Sequence, residues 1–309
     1  MTVKNIAHSV HARLANYARA SNRPFNEVLQ YYAMERFLYR LSVSESATKF
    51  VLKGALMMRV WNAPASRPTR DIDMLGYISN EVADVVAAIR GMCGAGVEAD
   101  GIHFDTQTIK GTRIKEDADY EGVRVTFLGF LGTAQIPMQL DIGFGDVVTP
   151  APTMITYPSI LDFPPPQLRG YPRETVIAEK FQAMVELGTL NSRMKDFYDI
   201  WLMSRQFDFD ASTLSRALVA TFKNRSTELP SSTPVALTPE FTDSDAATKL
   251  WGAFIRRQKT TDAPTSLADV AVSIDAFLMD LVRAAARGEE YKANWRHPGP
   301  WRPASGQPV

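Results

Sequence analysis

Three aspartates and two lysines carry the chemistry open to this sequence. The run Arg67-Pro68-Thr69-Arg70-Asp71-Ile72-Asp73-Met74-Leu75 follows Phe50-Val51-Leu52-Lys53-Gly54-Ala55-Leu56, with Arg70 standing 16 residues beyond Gly54. Side chains alternate along a strand, so Asp71 and Asp73 point to one face. Two carboxylates on one face suit Mg²⁺, a hard cation that takes oxygen ligands and keeps substrate phosphate in its shell. A glycine turn after an apolar strand offers backbone N–H groups to phosphate. A third acid lies in Ile136-Pro-Met-Gln-Leu-Asp-Ile-Gly-Phe144. There Ile136, Met138, Leu140 and Ile142 alternate, which leaves Gln139 and Asp141 on the opposite face. Together these residues suit metal-assisted transfer from a nucleoside triphosphate. Each part alone also has a plainer reading: Asp71 and Asp73 as turn or cap residues, Asp141 as a surface-facing edge position.

Two later helices add charge in unusual places. In Arg173-Glu-Thr-Val-Ile-Ala-Glu-Lys-Phe-Gln-Ala-Met184, Lys180 is flanked at helical spacing by Val176, Ile177, Ala183 and Met184. A lysine inside an apolar stripe needs a charge partner, such as a triphosphate, or a route for its head to water. The next helix, starting near Asn191-Ser192, places Arg193, Asp196 and Asp199 on one face. That cluster reads as helix salt bridges, or as a device that orients Lys180 and contacts nucleotide. Arg256, Arg257 and Lys259, with Lys223 and Arg225, are candidates for RNA backbone contacts or simply a solvated face.

The elements that must position these groups follow from periodicity and punctuation. Residues 5–47 read as two helices, the first capped by Asn5 or Ser9 and the second running from Phe25 to Leu41. His8 and His11 fit a solvated helix face. Residues 50–145 read as α/β: the strand before Lys53, a short helix 55–61, the Asp-x-Asp strand, a helix 80–92, then two or more strands. Among these, 123–128 and 136–144 are joined through Leu131-Gly-Thr-Ala134 as a hairpin. Ser66 to Thr69 form a loop. Pro150-Ala-Pro152 and Pro164-Pro-Pro166 mark a change of architecture. Beyond Arg173 the chain reads helical, with a long connection over 230–240, helices resuming near Ser244 and Leu267, and an aperiodic tail from Asn294.

Composition bounds the rest. With 309 residues, 45% hydrophobic and 22% charged, the chain can bury a large core in one or two domains. Formal net charge is zero, so nucleic-acid binding calls for a local basic patch. A single cysteine, Cys93, excludes an intrachain disulfide, and four scattered histidines argue against a structural zinc site. No run reaches about 18 apolar residues, and the first residues lack an apolar signal core. A soluble cytoplasmic protein without membrane partners is the expectation.

Four blocks, taken in order, resemble the AbiEii/MenT family of nucleotidyltransferase toxins within the DNA polymerase β nucleotidyltransferase superfamily. They are Val51-Leu-Lys-Gly-Ala55, Arg67 to Asp73, Leu140-Asp-Ile-Gly143, and Glu179-Lys180 followed by Arg193-Met-Lys-Asp-Phe-Tyr-Asp199. Thr233 to Thr238 and Trp251 to Phe254 also look familial. The resemblance implies an α+β, two-lobed protein: N-terminal helices and a nucleotidyltransferase core with a mixed sheet over 1–155, and a mostly helical lobe over 156–309. It implies a toxin of a toxin–antitoxin system that adds nucleotides from an NTP, CTP among them, to the tRNA 3′ end and so blocks translation. A protein or small-molecule acceptor is an alternative, as is a non-catalytic binding module, with a cognate antitoxin as a further partner. Under the resemblance, Asp71, Asp73 and Asp141 hold two Mg²⁺ ions, and Asp141 helps activate the attacking hydroxyl. Lys53, Gly54, Ala55, Arg70, Lys180 and Arg193 contact nucleotide, and Asp196 and Asp199 form the last acidic motif. One departure stands out. The superfamily turn is usually Gly-Gly or Gly-Ser, whereas Gly54-Ala55 lacks the hydroxyl.

Overall fold

The computed structural model describes residues 3–63, 69–117, 120–258 and 264–304. Ser66, Arg67 and Pro68 of the acidic motif, and Lys259 of the basic group, lie outside the described residues. The chain divides into two units, one built from 1–146 and 153–171, the other from 147–152 and 172–309. The architecture is mixed α/β, as the sequence implies. Among the described residues no helix is long and apolar enough to cross a membrane.

The first unit runs α1 (Val3–Ala20), α2 (Phe25–Ser42), β1 (Phe50–Lys53), α3 (Leu56–Val60), β2 (Ile72–Gly76), α4 (Val82–Cys93), β3 (Ile102–Asp117), β4 (Tyr120–Leu131), β5 (Ala134–Phe144), β6 (Thr153–Thr156) and β7 (Gln167–Gly170). Its mixed sheet has the order β3-β4-β5-β2-β1-β7-β6. Strands β3, β4 and β5 form an antiparallel meander whose second turn uses Gly132 at φ +60°. Strand β2 then lies parallel to β5, and β7 parallel to β1.

Alternation divides the sheet into two faces. Ile136, Met138, Leu140 and Ile142 of β5 join buried residues of α1, α2 and α4 in one core. The residues between them therefore take the other face, which is where the acids stand. Helix α4 lies close on β3, where a Cβ at Gly111 would meet Val82 and Val86 at 2.7 Å.

The first helix begins ahead of its expected caps, so Asn5 and Ser9 both lie inside α1. Its buried stripe of Ala7, Val10, Leu14 and Ala18 leaves Ser9 outward. His8 and His11 are exposed, as expected of a solvated face. Buried polar bonds fix α2. Arg40 forks onto Asp100 at 2.7 and 3.1 Å, and Tyr32 donates to the Asp100 carbonyl at 2.7 Å. Glu35, fully buried, accepts from Ile160 N–H at 2.8 Å. Burial pushes the Glu35 carboxyl up to about 7 against the pull of that hydrogen bond and of Arg36.

The second unit comprises α5 (Arg173–Leu187), α6 (Met194–Gln206), β8 (Phe209–Asp210), α7 (Ala211–Asn224), α8 (Pro239–Thr242), α9 (Asp245–Gln258), α10 (Leu267–Ala286), β9 (Ala293–Trp295) and β10 (Trp301–Pro303). Helix α7 is capped by Asp210, which accepts from Thr213 N–H, and α10 by Ser266, which accepts from Ala268 N–H. The connection over 230–240 is not bare loop: it holds a 3-10 turn over Val235–Leu237 and the start of α8. The tail from Asn294 also has structure, since β9 and β10 pair in a three-stranded sheet with β8. Aromatic packing replaces the missing alternation there. Trp295 meets Phe277 edge-on at 4.8 Å and donates to the Ser204 carbonyl at 2.6 Å, while Trp301 stacks on Phe277 at 5.9 Å.

Candidate active site

Register builds the site. Lys53 of β1 stands opposite Asp73 of β2, Asp73 opposite Asp141 of β5, and Asp141 opposite Arg124 of β4. Residues opposite one another share a face, so one row across four strands reads Lys53, Asp73, Asp141, Arg124. Asp71, just ahead of β2, joins the row two residues from Asp73. The closest oxygens of Asp71, Asp73 and Asp141 lie within 4.8 Å of one another. Oxygens this close could be shared by one small cation. The donors are all oxygen, which matches a hard divalent cation.

The turn after β1 is fitted to Asp73. Gly54 sits at φ +71°, and a Cβ there would fall 1.9 Å from Asp73 Oδ2. Only glycine satisfies both the left-handed backbone and that approach. Ala55 is buried, while Arg70 is exposed. Lys53, almost fully buried, bridges to Asp146 at 2.9 Å, and Tyr171 Oη reaches the same Asp146 oxygen at 3.4 Å. Asp71 is oriented from below: the Thr69 hydroxyl donates to it, and Thr69 N–H donates to Tyr31 Oη at 3.1 Å.

Arg124 closes a fork on Asp141, with Nε to Oδ1 at 2.8 Å and Nη2 to Oδ2 at 2.7 Å. That hydrogen bond, with the charges of Asp141, Asp71 and Asp73, raises the Arg124 pKa above its ordinary value. Gln139 Nε2 adds longer contacts to both Asp141 oxygens, at 3.4 and 3.3 Å.

The second unit carries a separate cluster. Lys180 of α5 meets Asp196 at 2.6 Å and Asp199 at 2.8 Å, both on α6. Arg193 Nε meets the other Asp196 oxygen at 2.6 Å. The lysine's partners are thus carboxylates of its own unit, which explains its place in an apolar stripe. Burial alone would raise the Asp196 carboxyl; Lys180, Arg193 and the Lys180 hydrogen bond outweigh it and bring Asp196 down to about 2. Of the basic candidates, Lys223, Arg256 and Arg257 are exposed, and Arg225 donates to Gln182 Oε1 at 2.9 Å.

Sequence reading omits Arg124, Asp146, Tyr31 and Thr69 from the site. Arg124 lies in a recognisable strand at an outward position, so register with Asp141 was the available signal. Tyr31 and Asp146 depend on tertiary contacts that no spacing reveals.

Two solved structures are similar to this chain. A candidate nucleotidyltransferase from H. pylori is 14% identical, with TM-score 0.47, over 85% of this chain and 97% of that one. JHP933 from Helicobacter pylori is 12% identical, with TM-score 0.46, over 85% of this chain and 92% of that one. No curated protein matches the sequence. The family model described as nucleotidyl transferase AbiEii toxin, type IV toxin–antitoxin system, matches residues 36–278, a span that holds all three aspartates of the row and the whole Lys180 cluster. The chain therefore belongs to the AbiEii family of nucleotidyltransferase toxins.

Proposed function

We propose that this nucleotidyltransferase uses Mg²⁺ to add nucleotides from an NTP, CTP among the candidates, to the 3′ end of tRNA in the cytoplasm, and so blocks translation. The observation that carries the metal-dependent part is the meeting of Asp71, Asp73 and Asp141 oxygens within 4.8 Å, beside a glycine that only a bare backbone can fill. Asp71 and Asp73, with Asp141 beside them, would hold the cation. Bound there, it neutralises triphosphate charge and favours loss of the acceptor proton.

The chain's own residues supply positioning. The Lys53-Gly54-Ala55 turn offers backbone N–H groups to phosphate, and Thr69 fixes one oxygen of Asp71. Arg70 and Arg193 are further nucleotide contacts in this reading. Lys180, held between Asp196 and Asp199, presents an ammonium of fixed position for phosphate oxygens. In the transfer, the acceptor oxygen bonds to the α-phosphorus as the bond to the β-phosphate oxygen breaks. Pyrophosphate leaves with that electron pair. Family membership points to an antitoxin as partner.

Each α-labelled NTP, incubated with Mg²⁺ and separately with tRNA, protein extract and small-molecule acceptors, tests the reading. Label on tRNA from one preferred nucleotide is expected. Label confined to protein or a small molecule would move the acceptor, and no label anywhere would favour a binding module.

A further inference from the structure

Asp71 is held by a chain of contacts that begins on other elements. The Thr69 hydroxyl donates to Asp71, and Thr69 N–H donates to Tyr31 Oη at 3.1 Å. Tyr31 belongs to α2 and is buried. Over its ring lies the guanidinium of Arg59, 4.3 Å from the ring centroid. We propose that Arg59 is a positioning residue for the acid row: it clamps the Tyr31 ring and so sets Thr69 and the Asp71 carboxylate. This rests on the reading of Asp71 as a metal ligand and names what keeps that ligand in place.

Placement gives the first argument. Arg59 stands on α3, which follows the Gly54 turn directly. Tyr31 therefore touches both the helix behind that turn and the residue that orients Asp71. A clamp on its ring ties together the two parts of the site that the sequence separates.

Unfavourable burial gives the second. Arg59 Nε is buried and finds no hydrogen-bond acceptor among the described residues. A guanidinium N–H taken out of water without an acceptor is costly. Glu35 does not answer it: its oxygens take Ile160 N–H at 2.8 Å and Arg36 Nη1 at 3.3 Å. What Arg59 does have is a ring face, whose quadrupole attracts a desolvated cation.

The geometry of the phenol gives the third. Thr69 N–H aims at the edge of the Tyr31 ring, and a hydrogen bond weakens steeply when its angle opens. A cation seated on the face opposes tilting of the ring, so the hydroxyl stays in line with Thr69.

Mn²⁺ binding to the full chain without nucleotide tests this, followed by the electron paramagnetic resonance signal of free Mn²⁺ below the melting temperature of each variant. Arg59→Met keeps the length and loses the charge, and should weaken Mn²⁺ affinity about fivefold. Arg59→Lys keeps a cation for the ring and should stay within about twofold of wild type. Tyr31→Phe should weaken affinity about tenfold. Adding Arg59→Met to Tyr31→Phe should weaken it no further, because the arginine acts through that hydroxyl. Effects that multiply to about fiftyfold in the double variant would overturn the proposal. So would an Arg59→Lys protein as weak as Arg59→Met. An Arg59→Met protein that melts lower and binds Mn²⁺ as the wild type does would show a structural role and overturn it too, while loss of Mn²⁺ in Asp71→Asn would leave the metal centre standing. No Mn²⁺ on the wild type would overturn the metal centre and this proposal together.

Discussion

The two units each gather aspartates around basic side chains, and they do so in different geometries. In the second, Lys180 bridges Asp196 and Asp199, and Arg193 takes the other Asp196 oxygen. In the first, Asp71, Asp73 and Asp141 bring oxygens within 4.8 Å of one another, with Arg124 forked on Asp141 and Lys53 bridged to Asp146 beside them. Crowded carboxylates repel one another unless a cation joins them. The second cluster frames one ammonium, that of Lys180, between two carboxylates. The first is a set of oxygen donors that could hold a metal ion. Composition alone would rank them alike; the close approach of three acid oxygens separates them.

The largest expected effect breaks the second cluster. Asp196→Ala leaves Lys180 and Arg193 without their shared carboxylate and should lower unfolding free energy by about 3–5 kcal/mol in urea titration. Gly54→Ala acts on the other cluster. It forces a Cβ into Asp73 at a left-handed backbone, and transfer should fall by about 100-fold. Next comes a contrast of two buried acids under pH. Asp196, lowered from 3.8 to about 2, contributes stability above about pH 4 that is lost as pH falls toward 2. Glu35, raised from 4.5 to about 7, contributes with the opposite sign: its share is full below about pH 4.5 and lost as pH rises through 7. Glu35→Gln should therefore raise stability at pH 8 relative to pH 5 by on the order of 2 kcal/mol compared with wild type, read from melts at both values. The smallest effect belongs to Tyr31→Phe. Removing the hydroxyl that accepts from Thr69 N–H loosens Asp71, and turnover should drop by about tenfold with an unchanged melting temperature.

Much of this was legible in the sequence, for reasons visible at particular residues. Period-two alternation in 136–142 places Asp141 on the face opposite the core, and the spacing of Asp71 and Asp73 puts their carboxylates near it. Helices α2, α5, α6 and α10 announce themselves by apolar period, α2 and α5 with a proline just ahead. Strands β6 and β7 were not legible: four residues each, mostly outward-facing in β6, they sit between proline runs and gain strand form only by pairing with one another and β1. Strands β9 and β10 are likewise set by Trp295 and Trp301 packing on Phe277, not by local pattern. Arg124 illustrates the remaining gap. Its strand was readable, but which residue it faces is a matter of register, fixed by the whole sheet.

The measurement that tests the account most directly compares wild type with Asp73→Asn for transfer of α-labelled NTP to tRNA, together with the melting temperature of each. The account predicts a loss of transfer of about 10³-fold or more with a melting temperature that stays level or rises, because one of three crowded carboxylates loses its charge. Wild-type transfer by Asp73→Asn, or a loss of transfer that follows unfolding, would contradict it.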